Sequence, residues 1–301
     1  DIMYYMDEPV ADPAAIALYF LSKEAAKKVK VVLSGEGSDE LFGGYNIYCE
    51  PLEYTGFNKV PLFIRRMLGA FAENCMPRSM KGRGFLMRHG KTLEERYIGN
   101  AKIFTEKEAK KAIKKGFEPG CMKVTAPIYE RVKGKDPVTK MQYLDIHLWL
   151  VHDILMKGDK MGMANSLEER VPFLDKQVLE LAQTLPLQYK VDAPKTKIAL
   201  RAAAERVIRS KTAEKKKLGF PIPIRVWLKE EKYYNRVKTQ FSSKEAQQFF
   251  NVSYLLKLLE EHKAGKQDNS RKIWTVYIFL LWYDRYFANG KPIHPSMNNG
   301  Q

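Results

Sequence analysis

The sequence lacks the features that would place it in several large classes of protein. No uninterrupted apolar run reaches the roughly 20 residues of a membrane-spanning helix; the segment Ile273 to Tyr283, apolar on all sides, stops at eleven. No basic stretch followed by an apolar run and a cleavage site opens the chain, so neither a membrane nor a secretory route is indicated, and a cytoplasmic protein is expected. Cysteine is scarce. Cys49, Cys75 and Cys121 are odd in number and show no CxxC or CxxH spacing, which argues against a disulfide framework and against a zinc site. Acidic residues are outnumbered, 35 against 51 Lys and Arg, for a formal charge of +16. That excess attracts nucleic acid, anionic membrane or a polyphosphate ligand. No aromatic-interleaved basic stretch or helix-turn-helix spacing accompanies it, so no nucleic-acid partner is expected and the bland reading is a solvated basic face.

What is present fits a globular α/β protein, with 45% hydrophobic and 29% charged residues in 301. Residues 13 to 28 carry a nearly continuous apolar run that ends in positive charge, as a mostly buried helix would. The short β-branched run Val29-Lys30-Val31-Val32-Leu33 suits a strand in a parallel sheet, and a second helix is predicted to begin at Ser38-Asp39-Glu40. Residues 1–50 therefore form an α/β part and residues 51–301 a predominantly helical remainder. Within the latter, Thr105 and Glu108 are spaced as a capping box for a helix from Glu106 to Lys115. Leu144, Leu148, Val151 and Leu155 recur at helical spacing in a segment Thr139 to Met163, and Val178 to Thr184 and Ile273 to Tyr283 read as further helices. Pro77 to Gly90, rich in Gly, Arg and Lys, reads as an exposed connection whose Lys81, Arg83 and Arg88 are solvated. His147 and His152 stand without acids or cysteines at metal spacing and read as core or surface residues.

One segment carries chemistry. Ser34-Gly35-Glu36-Gly37-Ser38-Asp39-Glu40-Leu41-Phe42-Gly43-Gly44-Tyr45 places glycines, hydroxyls and three acids at the carboxyl end of the expected strand, where open α/β sheets bind ligands. Gly35 and Gly37 permit positive φ and a close approach of backbone N–H groups to a phosphate. Three carboxylates beside a phosphate would repel it unless one binds a divalent cation and another acts as a base. A Gly-rich turn with capping acids explains the same spacing, and spacing alone does not choose.

Resemblance to a family chooses. Ser34 to Tyr45 resembles the signature of the glutamine-dependent asparagine synthetases, and Asp7-Glu8-Pro9-Val10-Ala11-Asp12-Pro13 resembles their bacterial branch. Three further blocks follow in order: Asp159-Lys160-Met161-Gly162-Met163-Ala164-Asn165-Ser166-Leu167-Glu168-Glu169-Arg170-Val171-Pro172-Phe173-Leu174-Asp175, where arginine is commoner than Lys160; Lys197-Ile198-Ala199-Leu200-Arg201; and Lys217-Leu218-Gly219-Phe220-Pro221-Ile222-Pro223. The resemblance implies the C-terminal portion of an adenine-nucleotide-binding parallel-sheet domain of the ATP pyrophosphatase type. It also implies ATP and Mg2+ as cofactors, aspartate and glutamine-derived ammonia as co-substrates, and a β-aspartyl-AMP intermediate. In that scheme Ser34 and Gly35 touch the nucleotide, Glu36 takes the proton from attacking ammonia, and Asp39 holds the metal. Glu40, Asp159 and Lys160 line the substrate pocket, and Lys217 stabilises charge on pyrophosphate and the activated carboxylate. Glu168 and Arg170 read equally as an ion-pair network or as substrate contacts.

The family's Ser-Gly-Gly-x-Asp-Ser pyrophosphate loop and its N-terminal glutaminase cysteine are not in this sequence. The expectation is that both lie upstream of Asp1, that this chain alone makes no asparagine, and that the incomplete sheet leaves apolar strand edges. A homo-oligomer is left open. The rival reading keeps the adenylating chemistry and changes the carboxylate, as in β-lactam synthetases.

Overall fold

A computed structural model describes residues 2–288, apart from Tyr54, Arg78, Glu118, Pro119, residues 216–218 and the side chain of Thr55. The fold is mostly helical with a small parallel sheet. Helix α1 (Ile2–Met6) and helix α2 (Ala14–Ala26) lead into strand β1 (Val31–Leu33), and helix α3 (Ser38–Phe42) follows the turn after it. Helix α4 (Leu62–Cys75) and helix α5 (Arg83–His89) form a packed pair. Helix α6 (Pro137–Asp145) runs through a π-helical stretch Ile146–Leu155 into helix α7 (Met156–Met163). Strand β2 (Glu168–Arg170) then leads to helix α8 (Lys176–Thr184). Helices α9 (Glu231–Phe241), α10 (Val252–Lys263) and α11 (Ser270–Tyr283) build the C-terminal lobe.

The strand, the helix start at Ser38 and the capping box at Thr105 stand as the sequence predicts, the box closed in both directions between Thr105 and Glu108. The helix it opens ends at Ala112, three residues short of Lys115, where Ile113 turns to an extended backbone and bridges Phe250. The apolar segment Ile273 to Tyr283 lies inside α11, packed among the C-terminal helices, and no helix among the described residues is long and apolar enough to cross a membrane.

Strand β2 has no apolar signature, being Glu-Glu-Arg. It forms because β1 offers a parallel partner, Val31 opposite Glu168, Val32 opposite Glu169 and Leu33 opposite Arg170. Flanking hydrogen bonds from Glu168 N–H to Lys30 O (2.9 Å) and from Ser34 N–H to Arg170 O (2.8 Å) extend the ladder to the turn. Backbone pairing thus brings two segments 137 residues apart to one edge. Val31 and Leu33 are exposed, Leu33 to 75%, as are Phe20 and Leu21 of α2.

The segment Pro77 to Gly90 corrects the sequence reading. It is not an exposed connection throughout, because α5 packs on α4. Arg83 folds back to donate to the carbonyls of Ala72 (3.0 Å), Glu73 (3.1 Å) and Met76 (3.1 Å), capping the end of α4. His89 is buried against Phe57 and Phe85, and Arg88 reaches Glu50 at 3.4 Å. Arginine and glycine here serve a helix end that periodicity does not reveal.

Candidate active site

The site grows from the end of β1. The chain leaves the strand at Ser34, and Ser38 Oγ donates to Gly35 O at 2.7 Å, closing the turn on itself. Gly37 holds φ +84°, a conformation that disfavours a side chain, and a Cβ there would lie 2.3 Å from Leu174 Cδ2. Helix α3 is only five residues long and ends at Gly43 in the left-handed region, so the chain reverses at Gly44. Glu36, Asp39 and Glu40 are thereby gathered within one turn and a half of backbone.

Each acid has a different environment. Glu36 is half-buried, and its carboxyl is pushed above the usual range, first by burial and then by the neighbouring charges of Glu40, Glu169 and Asp39, with Lys157 opposing. Glu40 is buried. Tyr45 Oη donates to it at 2.5 Å while accepting from Trp149 Nε1 at 3.1 Å, and Gln142 Nε2 donates to its main-chain carbonyl at 2.6 Å. This network ties α3 to α6 and the π-helical stretch. Asp39 Oδ1 lies 2.8 Å from Lys197 Nζ, which also donates to Ser38 Oγ at 2.9 Å. Gly44 makes that ion pair possible, since a Cβ at this position would fall 1.8 Å from Asp39 Oδ1 and 2.3 Å from Lys197 Cε.

Lys157 is the cation that the sequence did not single out. It is 4% exposed and bonds Asp12 and, at 3.1 Å, Asp153 one helical turn back. Sharing one ammonium splits the two acids: its close bond to Lys157 holds Asp12 below the usual range, while burial and the charge of Asp12 raise Asp153 to about 6. The two carboxylates in turn hold Lys157 protonated. Lys157 therefore sets a fixed positive charge beside Glu36, and burial of that charge is tolerated only because it is doubly paired. Its signals in the sequence were its place after the largely apolar stretch Ile146 to Met156 and the i,i+4 spacing from Asp153.

The remaining expected site residues separate. Asp159 is exposed on α7, and Lys160 pairs with Asp7 at 2.5 Å, so none of the partners of Lys160 among the described residues belongs to the turn. Lys217 lies outside the described residues. Glu168 and Arg170 form an exposed pair at 2.8 Å on β2, while Glu169 between them acts on Glu36. Lys197 opens the third sequence block in a left-handed backbone conformation, φ +53°, which turns its side chain to the Asp39 carboxylate. Among the described residues no group of three His, Cys, Asp or Glu side chains is arranged to hold a metal ion by itself.

A parallel strand pair thus ends in a glycine turn that carries an acid of raised proton affinity among fixed cations. Residues 1–284 match the family described as asparagine synthase, and the chain belongs to that family. It is 48% identical over 284 residues to asparagine synthetase [glutamine-hydrolyzing] 1 of Bacillus subtilis (strain 168), a match covering 94% of this chain and 44% of that protein. It is 26% identical over 232 residues to asparagine synthetase [glutamine-hydrolyzing] 3 of the same organism, covering 73% of this chain and 32% of the relative. A Gibberella zeae protein named as an amidase is 25% identical over 225 residues, 64% of this chain and 31% of its own length. The chain thus spans less than half the length of these relatives.

Proposed function

We propose that this chain supplies the ammonia-accepting half of an aspartate-adenylating centre, the synthetase site of a glutamine-hydrolysing asparagine synthetase with an ATP pyrophosphatase-like sheet. The observation that carries the reading is Glu36, a half-buried carboxyl of raised proton affinity at the end of a parallel strand pair, set between Lys157 and other acids. In the reaction the side-chain carboxylate of aspartate displaces pyrophosphate from the α-phosphorus of ATP. Ammonia then attacks the acyl carbon, AMP leaves, and the surplus proton of the new amide passes to Glu36. A base whose proton affinity lies above that of an ordinary carboxylate takes that proton more readily. Ser34 and Gly35 present the backbone to the nucleotide, and Lys217 meets the charge that develops on pyrophosphate.

Magnesium fits the donor set in a limited way. It prefers hard oxygen, keeps several waters and takes one or two protein carboxylates together with substrate phosphates. Asp39 is such a carboxylate, paired with Lys197, and would be the protein ligand that helps hold the ion against ATP. When bound, the ion would offset phosphate charge; orientation of the turn and proton transfer remain with Ser34, Gly35 and Glu36. In the same reading Glu40, buried beneath the turn, supports substrate binding through the backbone it anchors, and Asp159 and Lys160 act at the rim. The pyrophosphate loop and the glutaminase are contributed by residues outside this sequence, and this chain by itself forms no asparagine.

The similarity to a protein named as an amidase keeps a different carboxylate substrate in view. The test is exchange of labelled pyrophosphate into ATP by the protein at the length of its relatives. Exchange with aspartate and not with other acids is expected; exchange only with another carboxylate would move the protein to the second reading.

A further inference from the structure

Away from the turn, at the seam between α2 and the C-terminal lobe, lies a cavity of about 190 Å³. Four aromatic side chains form its walls, Trp227 and Tyr233 with ring centroids 6.1 Å apart and Trp274 and Tyr277 at the same separation on α11. Ile16 of α2 closes one side, and Arg236 of α9 is the single charged residue in the lining. The volume suits one ring, since an apolar cavity of roughly 150 Å³ accommodates benzene.

Two polar features of this cavity are unanswered within the protein. Arg236 is exposed and makes no ion pair or hydrogen bond with any described residue. The indole N–H of Trp274 is buried and has no acceptor. A buried donor left without a partner is costly, and buried indoles ordinarily find one. An aromatic-walled space with an unanswered donor in its wall and a free guanidinium in its lining calls for a flat apolar body bearing an anionic oxygen group. A purely apolar ligand would leave both features as they are, and a cationic one would be repelled by Arg236.

We propose that this cavity is a binding site for a small aromatic carboxylate, its ring between the tryptophan and tyrosine faces and its carboxylate against Arg236. The Trp274 indole N–H is the donor that the ligand's second oxygen would answer. The site stands apart from the adenylating turn and depends on none of the residues assigned to it. Because Ile16 belongs to α2, which packs on the helix carrying Lys157, an occupant would also tie the C-terminal lobe to the catalytic region.

The test uses benzoate and the neutral benzyl alcohol as probes against the purified protein, read by ligand-observed NMR and calorimetry. Saturable benzoate binding at least about tenfold tighter than benzyl alcohol is expected. Arg236→Gln, an exposed change that should leave the thermal midpoint unaltered, is expected to bring benzoate down to the level of benzyl alcohol. Trp274→Phe, which keeps a ring and removes the donor, should weaken benzoate severalfold. Absence of saturable binding, equal affinity for the two probes, or benzoate affinity unchanged in Arg236→Gln would overturn the proposal.

Discussion

The turn after β1 and the C-terminal lobe are built on opposite principles. In the lobe, Phe241, Leu255, Leu259, Ile273 and Leu280 are buried against one another on α9, α10 and α11, and its one fully buried histidine, His262, is bonded through both ring nitrogens, Nε2 with Arg225 O at 3.0 Å and Nδ1 from Asn269 N–H at 3.3 Å. In the turn, Glu40 and Asp39, joined by Glu169 of β2, raise the proton affinity of Glu36, and Lys157 and Lys197 are held by carboxylates that have other neighbours. The lobe spends its residues on area removed from water, the favourable term in folding. The turn accumulates like charge and positive-φ backbone, which are unfavourable unless the surroundings impose them, and such strain is what functional sites retain.

The difference can be broken from either side. Phe241→Ala in the lobe should carry the largest stability loss, about 3–5 kcal/mol by urea unfolding, because a buried aromatic leaves a cavity; the ratio of adenylate formation to amide formation should not change. Lys157→Met at the turn should cost roughly 3 kcal/mol by leaving Asp12 and Asp153 buried without their cation. Unlike the lobe change it should also alter the pH dependence of amide formation, by raising the proton affinity of Glu36 further. Adding Asp153→Asn should return part of the stability and leave the altered pH dependence of amide formation in place.

Apart from both regions, at the end of α6, Asp145 is fully buried, accepting from Tyr48 Oη at 2.6 Å, from Tyr97 Oη and from Asn100 Nδ2 at 2.9 Å. Burial outweighs these donors and pushes its carboxyl up to about 6. A carboxyl raised in the folded state favours folding at low pH. Its contribution is present below the ordinary aspartate range and is lost as pH rises through about 6, amounting to roughly 2–3 kcal/mol. Stability measured from pH 4 to 7 should therefore fall more steeply in the native protein than in Asp145→Asn. Asp153 contributes the same sign in both proteins and cancels in the comparison. The smallest stability effect is expected for Gly37→Ala, about 1–2 kcal/mol for the left-handed backbone, and Leu174→Ala should relieve the added overlap with Leu174 Cδ2. Pyrophosphate exchange should drop far more than stability does.

Much of the turn was legible in the sequence because its signals are local: β-branched residues before Ser34, glycines where positive φ is needed, and acids clustered within five positions. The helix caps at Thr105 and the packed helix around Ile273 were legible for the same reason. Strand β2 was not, since Glu-Glu-Arg becomes a strand only by pairing with Val31 to Leu33, and no local propensity encodes a partner 137 residues away. Nor were Lys157 and Lys197, whose roles come from what the fold sets against them, Asp12 and Asp153 for one and Asp39 for the other. Glycine and arginine in residues 77–90 imitate a loop because Arg83 caps α4 through its side chain.

We propose above all that Glu36 accepts the proton ammonia loses as the amide forms and takes no part in forming the adenylate. Its most direct test is Glu36→Gln in the protein at the length of its relatives, following aspartate-dependent pyrophosphate exchange and asparagine formation from added ammonia in the same preparation. Retained exchange with asparagine formation reduced by about 10²-fold or more, the scale of a lost general base, is the predicted result. Equal loss of both activities, or asparagine formation at the native rate, would contradict it.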